Sequence, residues 1–452
     1  MFKSINPYTG QVIATFQEST IQKANEIINK TDLAFQNWRM VKLTDRSLLM
    51  SRLANILEKK KEKLGRLITL EMGKLIGESY AEIEKCAWLC KYYAENAEEM
   101  LKPEILPSDG SESYVRFDAI GVIYAIMPWN FPFWQVLRFA VPNIMTGNTV
   151  VFKHSPNVFG CAEAMEQLFI EAGFPLHVFS NLIIPTTISE RVIRNSKIQG
   201  VTITGSQKAG SIVAAQAGKY LKKSVLELGG SDPCIVFSDA DFNTACKIGT
   251  TSRMMNSGQV CISAKRFIVE QSIFDQFVEE QKVLLESLKP GDPLSAETNM
   301  APLARNDLLD SIDKQVQKSV EMGAKLITGG HQIANTNFYS PTLLTNIKKG
   351  MPVYDEETFG PVSIVIPFNN PKEAVSIAND TQYGLGASIW TNNIKLAEQI
   401  ATKVDAGAIF INGMTKSDPR LPFGGTKSSG YGRELSHFGI REFVNIKTVW
   451  IE

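Results

Sequence analysis

The sequence predicts an α/β protein: a doubly wound parallel-sheet domain, a second α/β domain, and a small β hairpin with a C-terminal tail. Three observations carry that expectation. The chain has 452 residues, more than one ordinary core accommodates, so two or three domains are expected. Short apolar runs such as Ile120–Met127 and Thr149–Phe152 alternate with stretches of helical period, the pattern of parallel strands buried on both faces. Asp109-Gly110 is a tight-turn signal between two polar, extended stretches, a hairpin with no apolar face of its own to bury.

In chain order, Asn6–Gly10 forms a turn and Gln11–Phe16 alternates as a strand. From Thr20 to Ala97 the period is helical, as in Leu48–Leu57, and the Lys59–Lys61 run is a solvated helix face. The stretch from Pro103 to Phe117 is extended and polar, so another subunit could pair with its hairpin. Ile120–Met127 runs into Pro128-Trp129-Asn130-Phe131-Pro132 and a helix from about Phe133. Thr149–Phe152 ends on Lys153, and a helix from Ala162 to Ala172 precedes the apolar Ile183-Ile184-Pro185. Gly200–Ser206 is a third strand-to-turn unit, followed by a helix to about Lys219. Ligands of such sheets lie beyond the strand C-termini, where Asn130, Lys153 and Ser206 fall. A second unit begins near Gly230, with strands at Ile235–Phe237, Phe267–Val269, Val362–Val365 and Ala408–Ile411.

Lys+Arg and Asp+Glu both count 47, and this balance argues against a nucleic-acid or membrane-surface protein. The N-terminus shows no apolar h-region, and no apolar run reaches the roughly 18 residues needed to span a bilayer. The six cysteines form no Cys-x-x-Cys pair and the four histidines are scattered, so neither a metal site nor a disulfide framework is signalled. Cys86 and Cys90, four apart on a helix, are expected to pack in a core. A cytoplasmic protein with reduced thiols is expected.

Four stretches could carry chemistry. Cys261 follows Gly258 and Gln259 and precedes a strand, and it reads either as a nucleophile or as a buried structural cysteine. Gly205-Ser206-Gln207-Lys208-Ala209-Gly210 sits at a strand-to-helix junction and is either a pyrophosphate cradle or an ordinary tight turn. Glu227, in an apolar stretch ahead of Gly229-Gly230, is either a general base raised by burial or a strand-end carboxylate facing water. Asn130 is either an oxyanion donor or a helix N-cap.

Taken together, the order Asn130, Lys153, Gly205/Gly210, Glu227, Cys261, Glu356–Pro361 and Pro422–Gly425 resembles the aldehyde dehydrogenase superfamily from about Asn6 to Trp450. Glu227 and Cys261 stand 34 residues apart, as in the family. The resemblance implies that Cys261 attacks an aldehyde as a thiolate while Asn130 and the Cys261 backbone N–H hold the oxyanion. Collapse then delivers hydride to a nicotinamide and leaves a thioester, which water activated by Glu227 hydrolyses to the free acid. NAD or NADP would be held by Trp129, Lys153, Ser155, Gly205, Ser206, Gly210, Glu357 and Phe359, with Glu357 on the nicotinamide ribose and Lys153 on the adenosine ribose. Residues 1–100 and 119–229 would form the dinucleotide-binding domain, 230–430 the catalytic domain, and 101–118 with 431–452 the oligomerisation segments of a homodimer or homotetramer.

Three departures stand out. Pro156 occupies the position where strictly NAD-using relatives often carry a ribose-binding Glu. The chain starts close to its Asn-Pro turn, and Ser263 replaces a second cysteine of some relatives. For the substrate, Trp134 and Arg138 follow Asn130 by four and eight residues, which would put all three on one helix face. Arg138 matches an arginine that holds the distal carboxylate in succinate-semialdehyde dehydrogenases, or else makes a surface or interface salt bridge. Ser417-Asp418-Pro419-Arg420 resembles the substrate loop of the short bacterial NAD(P)-dependent members of that group, while Met255 replaces a second arginine. The resemblance thus implies NAD(P)-dependent oxidation of succinate semialdehyde, with other aliphatic or ω-carboxylated aldehydes such as glutarate semialdehyde as the alternative. A cysteine-dependent esterase would leave Lys153 and Glu357 without a role, and a non-catalytic oligomer would not need Asn130, Glu227 and Cys261 together.

Overall fold

Val122–Ile126 is the strand from which the first sheet grows in both directions. In this computed structural model, which describes residues 1–333 and 336–452, the chain adds Thr149–Lys153 and Phe179–Asn181 on one side. It then returns to add Ile198–Thr204 and Lys223–Glu227 on the other. These strands are parallel, and the reversal opens a crevice at their C-terminal ends beside Val122–Ile126. The short strand Gly430–Tyr431 closes the sheet antiparallel to Lys223–Glu227. The edge strand Phe179–Asn181 precedes the apolar Ile183-Ile184-Pro185 that drew attention in the sequence.

A second sheet orders seven strands as Lys325–Thr328, Thr342–Thr345, Val362–Phe368, Ala264–Glu270, Asp232–Val236, Gly386–Trp390 and Ala408–Ile411. All pairings but the first are parallel. Gly386–Trp390 escapes sequence reading because Gly386, Ala387 and Ser388 have weak strand propensity. Pairing on both sides, with Asp232–Val236 and Ala408–Ile411, makes it a central strand. In a third sheet, Glu112–Ala119 pairs across the hairpin with Glu104–Ile105 and along its whole length with the tail strand Val444–Ile451. Ile446, Trp450 and Ile451 on that tail strand are exposed.

The helical region resolves into Ile21–Trp38, Leu43–Lys59, Lys61–Met72 and Ile76–Met100. The last of these buries Ile83, Cys86, Ala87, Leu89, Cys90 and Tyr93 on one stripe, so both cysteines are packing residues. No helix among the described residues is long and apolar enough to cross a membrane.

Candidate active site

The turn ahead of Cys261 is strained. Asn256, Ser257 and Gly258 all have left-handed backbones, at φ 49°, 52° and 77°. Two consecutive non-glycine residues there cost free energy that the surroundings must offset. Asn256 N–H donates to Glu78 Oε1 (3.0 Å) and Asn256 Nδ2 to Asn130 O (3.0 Å). Ser257 Oγ donates to Ala301 O (2.7 Å), and Gln259 Nε2 to Asn256 O (3.0 Å). At Gly258 a Cβ would lie 2.1 Å from Gly360 O, so only glycine fits. Lys265 Nζ then donates to Val260 O (3.0 Å) and Cys261 O (2.7 Å), fixing the backbone on which the thiol stands.

Arg253, fully buried, ties this turn to the segment 358–362. Its Nε donates to Val362 O (2.6 Å), Nη1 to Ser263 Oγ (2.8 Å) and Gly258 O (3.3 Å), and Nη2 to Thr358 O (2.9 Å), Thr358 Oγ1 (3.2 Å) and Gly360 O. Sequence reasoning missed Arg253, Glu78 and Lys265. Each acts mainly through backbone carbonyls and amides, which carry no sequence signature.

Asn130 is not on the helix that carries Trp134 and Arg138, contrary to expectation. That helix spans Trp134–Thr146 with Phe133 at its N-cap. Pro132 is the physical reason: its ring disfavours helical backbone at Phe131. Asn130 is therefore neither an N-cap nor on their helix face. It is buried, and its Nδ2 donates to Gln259 O (3.0 Å), leaving the second N–H of the amide for another acceptor. Glu82 caps the helix instead, accepting from Phe133 N (2.8 Å) and Trp134 N (3.0 Å).

Cys261 is the one cysteine of the six that is not fully buried. Enclosure by protein on its other sides pushes the thiol up to about 12, against the pull of Lys265 and Arg138. Glu227 is buried, and neither of its oxygens meets a donor among the described residues. Burial first, then the neighbouring Glu434, holds its carboxyl well above the usual range. In both groups burial favours the neutral form. Glu227 packs beside Gly424, where a Cβ would come within 2.9 Å of Oε1.

At the strand C-termini the residues fit a nucleotide cofactor. Asn181 Oδ1 and Thr204 Oγ1 are buried there without partners among the described residues. Lys153 is buried at the end of its strand with Nζ donating to His154 O (3.2 Å), and desolvation lowers it to about 8. Ser155 Oγ donates to Asn157 Oδ1 (2.7 Å). Ser206 caps the helix Gln207–Lys219, its Oγ accepting from Ala209 N (3.3 Å), and the remaining N-terminal amides suit an anion. Gly210 answers to packing: a Cβ there would sit 2.4 Å from Leu228 Cδ2, whereas Gly205 has room. Glu357 accepts from Gly230 N (3.0 Å) and pairs with Lys265 (3.3 Å). Phe359 meets Trp129 edge-on, ring centres 5.9 Å apart.

A cavity of about 430 Å³ has Cys261, Trp134, Arg138, Met255, Ser417 and Arg420 in its walls. Glu227 is not one of its lining residues. Arg138 is buried, and its guanidinium pairs with Glu434 and lies over Phe423 at 4.4 Å, so its salt bridge is internal rather than at a surface. Its Nη2 still lacks a partner among the described residues. Arg420 is largely exposed and paired with Asp418 (2.7 Å) inside its own loop. One face of the helix Ile76–Met100 completes the wall through Glu78, Glu82, Lys85 and Trp88. Their spacing of three and four was the available sequence signal for this face.

The model of the aldehyde dehydrogenase family matches residues 1–449. The chain is 45% identical to a probable succinate-semialdehyde dehydrogenase (NADP(+)) of Synechocystis sp., over 99% of both chains. It is 42% identical to a succinate semialdehyde dehydrogenase (NAD(P)+) of Escherichia coli, over 99% of this chain and 97% of that one. The crystal structure of succinic semialdehyde dehydrogenase from Streptococcus pyogenes in complex with NADP+ superposes with a TM-score of 0.98, at 38% identity and full coverage of both chains.

Proposed function

Because the chain belongs to the aldehyde dehydrogenase family, we propose that it oxidises succinate semialdehyde to succinate with NAD or NADP. The single observation that carries the substrate is the cavity, whose walls hold both the nucleophile Cys261 and the cations Lys85, Arg138 and Arg420. An aldehyde at one end and a carboxylate at the other match those two features.

As a thiolate, Cys261 Sγ bonds to the aldehyde carbon as the carbonyl π bond breaks, giving a thiohemiacetal oxyanion that is met by the free N–H of Asn130 Nδ2 and by the Cys261 backbone N–H. When bound, the oxidised nicotinamide supplies a two-electron acceptor and a positive charge. The thiohemiacetal becomes a thioester on Cys261, and Glu227 takes a proton from the water that cleaves it. For this, Glu227 must leave its pocket beside Gly424 and Glu434 and reach the cavity. Trp129, Lys153, Ser155, Gly205, Ser206, Glu357 and Phe359 would hold the cofactor, with Gly210 serving the helix packing behind them. The exposed apolar tail strand supports a homodimer or homotetramer, and six free cysteines suit the cytoplasm.

The cavity's size favours one second reading. At about 430 Å³ it falls within the roughly 300–1,000 Å³ range of pockets for larger ligands, so glutarate semialdehyde also fits. A panel of aldehydes with and without a distal carboxylate tests both readings. Succinate semialdehyde should show the highest kcat/KM, and equal efficiency with butanal would reject the carboxylate requirement.

A further inference from the structure

We infer that Lys85 binds the distal carboxylate of the substrate, with Ser417 orienting its ammonium, beside the Nη2 of Arg138 that Glu434 leaves free. This inference rests on the reading that the substrate carries such a carboxylate.

The argument is a charge inventory of the cavity. Of its anions, Glu82 pairs with Lys74 and caps the helix Trp134–Thr146, Glu78 accepts from Asn256 N, and Asp418 pairs with Arg420. Of its cations, Arg138 is paired with Glu434 through Nε and keeps only Nη2 without a partner among the described residues, Arg420 is taken by Asp418, and Lys416 is exposed. Lys85 is left over. It is partly buried and forms no ion pair among the described residues. Its Nζ donates to Ser417 Oγ (2.9 Å) and lies 4.2 Å from the centre of the Trp134 ring. An ammonium has three donors, and here a hydroxyl and a ring face engage two sides of it. The remaining donor capacity is what a substrate carboxylate would occupy.

Geometry makes this placement durable. Lys85 lies on the same helix face as Glu78 and Glu82, which hold the nucleophile turn and the start of the helix bearing Trp134. One helix therefore sets both the thiol end of the cavity and this cation. Even a partly buried cation without a counter-ion carries a desolvation cost that a ligand carboxylate would offset. Burial, followed by repulsion from Arg138, lowers Lys85 to about 8, with Cys86, Glu82 and Asp418 pulling upward.

The test is steady-state kinetics of Lys85→Met and Lys85→Arg with succinate semialdehyde and butanal. Lys85→Met should raise KM for succinate semialdehyde on the order of 10- to 100-fold, as expected for losing one charge-assisted contact, with kcat changed far less. Its kcat/KM for butanal should move at least tenfold less, and Lys85→Arg should recover most of the loss. A second measurement needs no variant. Succinate should protect Cys261 of the unmodified protein from iodoacetamide, and the protection should fade as pH rises through about 8. If Lys85→Met keeps the preference for the acid, or loses both substrates equally, or if protection is indifferent to pH, the assignment is overturned. If the unmodified protein itself shows no preference for the acid, the substrate reading has failed instead.

Discussion

Removing Arg253 tests whether the scaffold behind the thiol is held by one side chain. The guanidinium makes six hydrogen bonds, to Gly258, Ser263, Thr358 (twice), Gly360 and Val362. At about 1.5–3 kcal/mol for each bond from a charged donor, roughly 9–18 kcal/mol is at stake. Desolvation opposes this. Burial lowers the group from 12.5 to about 9, equivalent to about 5 kcal/mol, which the substitution recovers. The balance for Arg253→Met is a loss of about 4 kcal/mol or more, a large share of the roughly 5–15 kcal/mol that holds a domain together. Arg253→Lys keeps a charge but cannot span carbonyls on both segments, so it should recover only part. Urea midpoints at fixed protein concentration measure the loss. Iodoacetamide labelling of Cys261 reports the turn, which should become more accessible once Gly258 O and Gly360 O are released. A stability change below about 1 kcal/mol, from the midpoint and the slope, with unchanged labelling, would show that Lys265 and Glu78 hold the turn without Arg253.

Three further variants test the site. Cys261→Ala should abolish turnover while leaving cofactor binding intact, as checked by fluorescence titration; near-normal turnover would refute covalent catalysis. Glu227→Gln should give a burst of reduced cofactor followed by a slow steady state, and equal slowing of both phases would deny it the hydrolytic role. Because the Glu227 pKa is raised in the folded state, its contribution to stability is full below the ordinary carboxylate range and is lost as pH rises through the raised value. The Gln variant should therefore keep its stability to higher pH than the unmodified protein, as followed by melting curves. Pro156→Glu should lower efficiency with NADP more than with NAD, since a like-charge contact with the 2′-phosphate costs on the order of 1–4 kcal/mol near a surface. No NADP activity in the unmodified protein would remove the premise.

The sequence by itself determined the layered α/β architecture, the positions of most of the buried strands and the order of the chemistry-bearing residues. Apolar runs such as Val122–Ile126 can be buried only between two layers of helix, and strand ends carry ligand-binding turns whatever the loops do. Cys261, Glu227 and Asn130 were legible because each sits in a short motif. What surrounds them was not. Gly386–Trp390 is a strand because of its neighbours on both sides, and Asn130 lies off its helix because one ring, Pro132, bars the preceding turn. Arg138 carried the substrate expectation from sequence, yet only the fold brings Glu434, nearly three hundred residues later, to its guanidinium. The same folding leaves Lys85 beside Ser417 without a carboxylate of its own among the described residues. Pairing of charges distant in the chain is a property of three-dimensional proximity and desolvation, and neither quantity exists until the sheets and helices have packed.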